Sequence, residues 1–528
     1  MRKRIFILTF ILTAILILSS CHGNKVLPVF EMPEDFNDKE YNITFWAKND
    51  TNSRQQQIYN EAVAEFNKYY PNIHVEITQY RDYTAIYSDV IKNISTQTTP
   101  NVCVAYPDHV ATYLDGTNVV VPLDDLMNNQ KYGLGGSQIK YDSIEKNDII
   151  QSFLDEGKIG DSYYTIPFQR STEALYINKT YVESLGFEIP EMVTWDFVWS
   201  VCKKAIEEKK ENQNLYPLIY KSTDNMTIQL LKQMGIDYTS DDKDIYIFND
   251  NTKKLLTELQ GYANNKYFEI FARVSYPGNH FNRGNCIFAI DSTAGATWLG
   301  GDAPLQDIPQ DERVEFETVV KPIPQVDVNN PYMISQGPSV CIFNKTDSQE
   351  VLASWLFAQF LLNKKTQINY SQTEGYLPVT NSAISSAEYQ DSINNPNYAP
   401  VDVTPGSVEY NTIVYPVRIE ATKVLLNNID NTFVTPVFSG SSLVRSAAGY
   451  LIEGIFKPKY KKDNGIDLLF EETYALYNLN TVVKEEAIKE DAGNNNITYV
   501  LIGSILLAWI GIISYTAFEK LKKRNKVK

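Results

Sequence analysis

The sequence predicts an α/β protein of at least two lobes, displayed on the outer face of a membrane. Three observations predict it. Residues 43–105 alternate strand and helix patterns. The stretch between the two ends runs to about 475 residues, more than one hydrophobic core usually organises. An apolar run stands at each end of an otherwise polar chain of 528 residues with a formal net charge of −16.

The elements follow in order. Ile43 and Phe45 alternate with polar neighbours and start a strand. Ile58, Ala62, Val63, Phe66 and Tyr69 recur at helical spacing, and Pro71 stops the helix. Ile73, Val75 and Ile77 alternate as a second strand, residues 83–95 read as a helix, and Val102-Cys103-Val104-Ala105 is a short buried strand. Strand–helix–strand–helix–strand is the pattern of a parallel sheet. Ligands of such sheets sit at the carboxyl ends of the strands, which singles out the loops after Phe45 and Ala105. Further along, residues 169–177 read as strand, 179–186 as helix, Thr194 as the cap of a long helix, and 216–220 as strand. Ile245-Tyr246-Ile247-Phe248 reads as a strand leaving the acidic turn at 240–244, which lacks calcium-loop spacing. Residues 286–290 and 340–343 are apolar strands, 351–362 an apolar helix, 390–410 a Pro/Asn-rich loop and 463–494 a charged helix with a spacer.

The ends suggest tethers. Arg2, Lys3 and Arg4 precede an apolar run and Leu18-Ser19-Ser20-Cys21. That pattern, over residues 1–21, is a secretory leader with a lipobox, whose Cys21 would carry palmitate and begin the mature protein; an uncleaved anchor is the alternative. Residues 22–40 form a linker. Ile497 to Phe518 are 22 residues without charge, long enough to span a bilayer as a helix. The basic tail at 519–528 then belongs in the cytoplasm and the body outside. The expected location is the cell membrane, with a lipid at Cys21 and a single pass at 497–518.

Composition excludes several classes. Removing the nine basic and one acidic residue of 1–4 and 519–528 leaves 39 basic and 63 acidic residues, a net −24. Such a body is ill suited to nucleic acid. Cys103, Cys202, Cys286 and Cys341 are widely spaced, and read as core residues rather than a disulfide framework. The four histidines, His22, His74, His109 and His280, show no zinc spacing. No metal or other cofactor is expected.

A set of fragments then falls into order. Ile43-Thr44-Phe45-Trp46, Pro167 to Lys179, Leu185 to Pro190, Thr194-Trp195-Asp196, Phe281 to Cys286, Lys321 to Pro324 and Gly375 to Pro378 together resemble family 1 of the extracellular solute-binding proteins of carbohydrate ABC importers. The stretches around Ser171-Thr172 and Gly375-Tyr376-Leu377-Pro378 look closest to its glycerol-3-phosphate-binding branch. The resemblance implies a two-lobed type II periplasmic-binding-protein fold, not an enzyme. Its lobes would be 40–165 with 325–373, and 166–324 with 374–485. Crossovers near 164–172, 319–325 and 374–380 would hinge them shut on a sugar, polyol or glycerol-phosphate ligand. The implied partners are membrane permease subunits and a cytoplasmic ATPase.

Sugar faces want aromatic platforms, and hydroxyls want amides, carboxylates and Arg forks. On the expected cleft loops these are Trp46, Asn49, Asp50, Tyr83, Asp108, His109, Gln169, Arg170, Ser171, Ser292, Thr293, Trp298, Tyr332, Gly337, Glu374 and Tyr376. The resemblance places Tyr83, Ser171, Ser292, Gly337 and Tyr376 on binding positions of the glycerol-3-phosphate branch. Its acidic contact falls on Pro107, beside Asp108. Its phosphate-binding Arg falls on Ser442, with Arg445 nearby. That loss favours a carbohydrate whose hydroxyls Arg170 and Asp108 fork, with Tyr83, Trp298 or Tyr376 supplying apolar faces. The plainer readings are packing for any one of 35 tyrosines, a helix cap for Asp108 and a tight turn at Gly375-Tyr376. A secreted glycosidase would need two placed carboxylates about 5–10 Å apart, and the chain shows no catalytic motif. A sensory receptor could use the same module, but the tail is too short for a signalling domain.

Overall fold

The computed structural model describes residues 26–48, 53–209, 214–240, 242–396 and 415–484, with a few helical positions between 514 and 522. The chain divides at Leu479 into two units, and both sheets described here belong to the first. Its main elements, in chain order, are β1 (Tyr41–Lys48), α1 (Ser53–Tyr69), β2 (Ile73–Tyr80), α2 (Tyr83–Ile94), β3 (Val102–Ala105), α3 (Pro107–Tyr113), β4 (Ile166–Pro167) and β5 (Glu173–Asn178). There follow α4 (Trp195–Glu208), β6 (Tyr216–Tyr220), α5 (Thr223–Gln233), α6 (Asp250–Asn264), β7 (Phe268–Ile270), β8 (Cys286–Ser292), β9 (Thr318–Pro322) and β10 (Ser339–Ile342). Helices α7 (Ser348–Phe360), α8 (Lys364–Ser371), α9 (Pro416–Leu426), α10 (Ser441–Ile455) and α11 (Gly465–Leu476) complete them.

The first sheet has the order β2-β1-β3-β10-β4. β1 runs parallel to β2 and β3, and β10 antiparallel to β3 and β4. Alternation works as the sequence suggests: Ile43, Phe45 and Ala47 are buried while Asn42 is exposed. Helix α1 buries Ile58, Tyr59, Ala62 and Phe66, one stripe at three- and four-residue steps. Helix α7 buries every residue from Val351 to Phe360, which is why its apolar pattern lacks a polar face. The second sheet has the order β9-β5-β8-β6-β7. Here β8, β6 and β7 are mutually parallel neighbours, and β5 is antiparallel to both β8 and β9. Each sheet thus carries parallel strands and one strand of opposite sense, β10 in the first and β5 in the second, two mixed α/β lobes in one chain.

The chain passes from the first sheet to the second between Pro167 and Glu173, and returns between Pro322 and Ser339. A third segment, after α8, runs beside these. Arg170 and Leu377 exchange backbone hydrogen bonds of 3.0 and 2.8 Å, and Ser171 and Gln336 exchange bonds of 2.7 and 3.0 Å. The three crossing segments are therefore zipped to one another by short ladders. Gly337 makes this approach possible. Its φ of +147° suits glycine, and a Cβ there would stand 2.3 Å from the Gln169 carbonyl oxygen.

Several expectations change. Residues 245–248 form no strand: Ile245 makes a lone bridge to Thr239, and Tyr246 is 41% exposed with no neighbouring strand to join. The strand expected at 169–177 starts only at Glu173, because 168–172 is crossover. The charged helix expected from 463 is broken: α11 ends at Leu476, Asn478 takes a left-handed φ of +49°, and a short helix resumes over Leu479–Lys484. Cys21 lies outside the described residues, as does 497–518 apart from isolated positions. Among the described residues no helix is long and apolar enough to cross a membrane.

Candidate functional site

A cavity of about 790 Å³ opens between the two sheets. It sits where the parallel-sheet rule puts it, against segments that leave strand carboxyl ends. Asp82, Tyr83, Thr84 and Tyr87 follow β2; Tyr106, Pro107, Asp108 and His109 follow β3; Ser222 to Asn225 follow β6. Ser335 and Gln336 come from a crossing segment, and one face of α10 supplies Ser442, Arg445, Ser446, Gly449 and Glu453. These α10 positions are spaced as a helix face requires. Gly449 is small for a reason: a Cβ would stand 3.0 Å from the Thr223 hydroxyl and 3.2 Å from the Asp224 nitrogen.

The aromatic wall is local and compact. Asp82 caps α2 by accepting from the Ala85 N–H at 2.8 Å, which fixes Tyr83 at the start of the helix. The Tyr83 and Tyr106 rings lie 4.5 Å apart, and His109 lies 4.7 Å from Tyr87 and 5.6 Å from Tyr106. Burial pushes His109 down to about 4; the Asp108 carboxylate opposes this and the Arg445 charge adds to it. The imidazole is neutral at pH 7.

Arg445 is the electrostatic centre. Its Nε donates to Asp108 at 3.2 Å, and its Nη1 donates to Asp224 at 2.9 Å and to Asn225 at 2.7 Å. Burial works against its charge, but Asp108 and Asp224 outweigh burial and hold the guanidinium above its ordinary value. Asp108 belongs to the segment after β3, whereas Arg445 and Asp224 belong to helices around the second sheet. The cluster therefore joins the two lobes. Ser441 donates to Asp108 at 2.5 Å and Ser439 to Asp115 at 2.7 Å along the same seam.

Behind the cavity runs an amide-hydroxyl chain. Asn225 donates to Gln336 at 3.0 Å and to Glu173 at 3.1 Å, and Gln336 donates to the Ser292 hydroxyl at 2.9 Å. Ser292 reaches the Ser171 hydroxyl at 3.4 Å. Glu173 also accepts from Tyr220 at 2.5 Å; burial lifts its carboxyl to about 8, the two donors pull it down, and Asp224 and Asp291 push it up.

Of the sequence-derived candidates, Tyr83, Asp108, His109 and Ser442 line this cavity. Ser171 and Ser292 stand one bond behind it, through Gln336. Others lie elsewhere. Arg170 is fully buried, with its guanidinium bonded to the carbonyls of Gln169, Pro338 and Phe153, to Ser339 and to Glu156. It faces protein acceptors instead of an open fork. Gln169 donates to the Gln367 carbonyl, Thr293 pairs with Thr172, and Gly337 presses on Gln169. Glu374 is buried and accepts from Thr297 at 2.6 Å, and Tyr376 packs against Tyr370 in the first lobe's core. Trp46 packs on Tyr80, the Trp298 carbonyl is held by Asn282, and Tyr332 lies beneath the Lys232 ammonium. Asn49 and Asp50 lie outside the described residues. Sequence reasoning missed Tyr87, Tyr106, Glu156, Asp224, Asn225, Gln336 and Glu453. The strand-end rule, applied after 216–220 as it was after 102–105, points to Asp224 and Asn225. Nothing in the local sequence marks Gln336 or Glu453.

The chain's fold has known counterparts. It superposes on UgpB from Mycobacterium tuberculosis, solved with glycerophosphocholine, with a TM-score of 0.62 and 16% identity over 84% of this chain and 99% of that one. The GacH receptor of Streptomyces glaucescens, solved with acarbose, gives 0.59 and 15% over 83% and 99%. The sugar-binding protein MalE of Xanthomonas citri gives 0.59 and 16% over 86% and 100%. At these identities the likeness is one of fold. A search of curated sequences finds no match. The sequence profile described as bacterial extracellular solute-binding protein matches residues 61–397, and the chain belongs to that family.

Proposed function

We propose that the protein captures a hydrophilic solute of the sugar or glycerophosphodiester class in the cleft between its lobes and delivers it to an ABC importer. The observation that carries this reading is the cavity of about 790 Å³ at the strand ends, lined from both lobes and backed by the crossing segments. A solute held there touches both halves and stabilises their closed arrangement. The family is one of binders, so no catalytic step is assigned. Tyr83, Tyr106, Asp108, Asn225, Gln336 and Arg445 are the proposed contacts or their immediate supports. The ligands of UgpB and GacH fit the proposed class. The proposed lobes comprise 40–165 with 325–373, and 166–324 with 374–485, save that Tyr376 to Ile393 pack into the first core. Lipidation at Cys21 and a span at 497–518 are the proposed tethers, and permease subunits the proposed partners.

The test is a thermal-shift screen of the purified chain over oligosaccharides, polyols and glycerophosphodiesters, followed by small-angle scattering. A true ligand at 100 times its Kd raises stability by about 2.7 kcal/mol. It also compacts the particle, and Tyr83→Ala weakens binding. A panel with no stabilising member, or binding indifferent to Tyr83→Ala, rejects the assignment.

A further inference from the structure

The carboxylates around the cavity outnumber its cations. Asp82, Asp108, Glu156, Asp224 and Glu453 line it, and Arg445 is the sole Lys or Arg among the described lining residues. His109 adds no charge at pH 7, since burial holds it at about 4. Arg445 is already matched twice over, by Asp108 at 3.2 Å and Asp224 at 2.9 Å, so that cluster is net negative although Nη2 keeps donor capacity. Glu156 is matched from behind by Arg170 at 2.8 Å. Asp82, exposed and accepting the Ala85 N–H, and Glu453, partly exposed, have no lysine or arginine partner among the described lining residues other than Arg445. Burial raises the Glu156 carboxyl, with Arg170 opposing, yet even a neutral Glu156 leaves the balance negative. Against this field stand the rings of Tyr83, Tyr87 and Tyr106, whose faces attract cations; the Lys48 ammonium already lies 5.5 Å from the Tyr83 centroid, and counting it still leaves the cavity's carboxylates in excess.

A phosphate monoester carries close to two negative charges and needs unmatched donors when desolvated. This cleft offers it a guanidinium already held by two carboxylates. A positively charged nitrogen meets the opposite situation: surplus carboxylate and aromatic faces in a partly closed, low-dielectric space. We propose that the cleft selects a hydrophilic solute bearing a positively charged nitrogen, an amine or a quaternary ammonium, and refuses phosphate monoesters. The proposal rests on the reading of this cleft as the solute site.

The experiment is titration calorimetry on the full chain in detergent with probes matched in skeleton and different in charge. Chitobiose, with free amines, is set against N,N′-diacetylchitobiose, and glycerophosphocholine against glycerol 3-phosphate. We expect one of the two cationic probes to bind at least tenfold more tightly than its partner, and added salt to weaken it. Glu453→Gln and Asp82→Asn should each narrow the ratio several-fold. Preference for the amine or for the choline compound distinguishes the two nitrogen types. Tighter binding of the uncharged or anionic partner in both pairs overturns the proposal, as does failure of both cationic probes. If a neutral sugar then binds and Tyr83→Ala abolishes it, the cleft stands and only its charge preference falls. If no solute binds in a Tyr83-dependent way, the cleft assignment falls as well.

Discussion

Arg170 spends its guanidinium on five protein acceptors and reaches the cavity only through one of them, Glu156. Its partner Glu156 is nearly buried, so truncating the arginine strands a carboxylate in a poor solvent. Arg170→Ala should therefore lower unfolding stability by about 3–5 kcal/mol in denaturant titrations, the range for a broken buried pair. Glu173 shows the opposite sensitivity. Its carboxyl, ordinarily near 4.5, is lifted to about 8 in the folded protein, chiefly by burial. A raised acid favours the folded state while protonated, so its contribution is complete below about 4.5 and lost as pH climbs through 8. Wild type should lose stability between pH 5 and pH 8.5 relative to Glu173→Gln, by up to ~3–5 kcal/mol at 1.36 kcal/mol per unit. Urea midpoints across that interval read it directly, and parallel pH curves for the two proteins would contradict it.

At the level of elements, Gly337 shows how the crossover is built. A methyl group there meets the Gln169 carbonyl at 2.3 Å, backbone against backbone, at a φ of +147°. Gly337→Ala should cost about 1–3 kcal/mol, the range for a residue forced into a sparse region, seen as a lowered Tm. The strands around this point were legible in the sequence because Ile43, Phe45, Ile73 and Val102 follow simple alternation or continuous burial. Helix α10 was not read, although Val444, Ala447, Ala448, Leu451 and Ile452 recur helically. Gly449 and Gly454 interrupt its propensity, and they are present because Thr223 and the Leu469 side chain approach too closely for a Cβ. Local preference gave way there to packing.

Over the whole molecule, the two-lobed α/β plan was legible from element order and from fragments that keep family sequence. The candidate site was legible only in part. Tyr83 and Asp108 follow strands whose ends can be read directly. Gln336, Arg445 and Glu453 are brought to the site by tertiary contacts, such as the Arg445–Asp108 bond across the lobes, which no local pattern encodes. Arg170 looked like a fork because a crossover arginine beside an expected cleft is chemically apt. Only burial behind Glu156 reveals the different role.

The position of β10 in the first sheet has a temporal consequence. It lies between β3 and β4, yet Ser339 follows Ala105 by more than two hundred residues. As the chain emerges during synthesis, β1, β2 and β3 can associate early, but their sheet keeps a bare edge until β10 arrives. Closing so long a loop is slow, and an exposed edge invites wrong pairing in the interval. The same delay keeps the nascent polypeptide threadable, so a chain bound for the far side of a membrane can leave the cytoplasm before its first lobe locks.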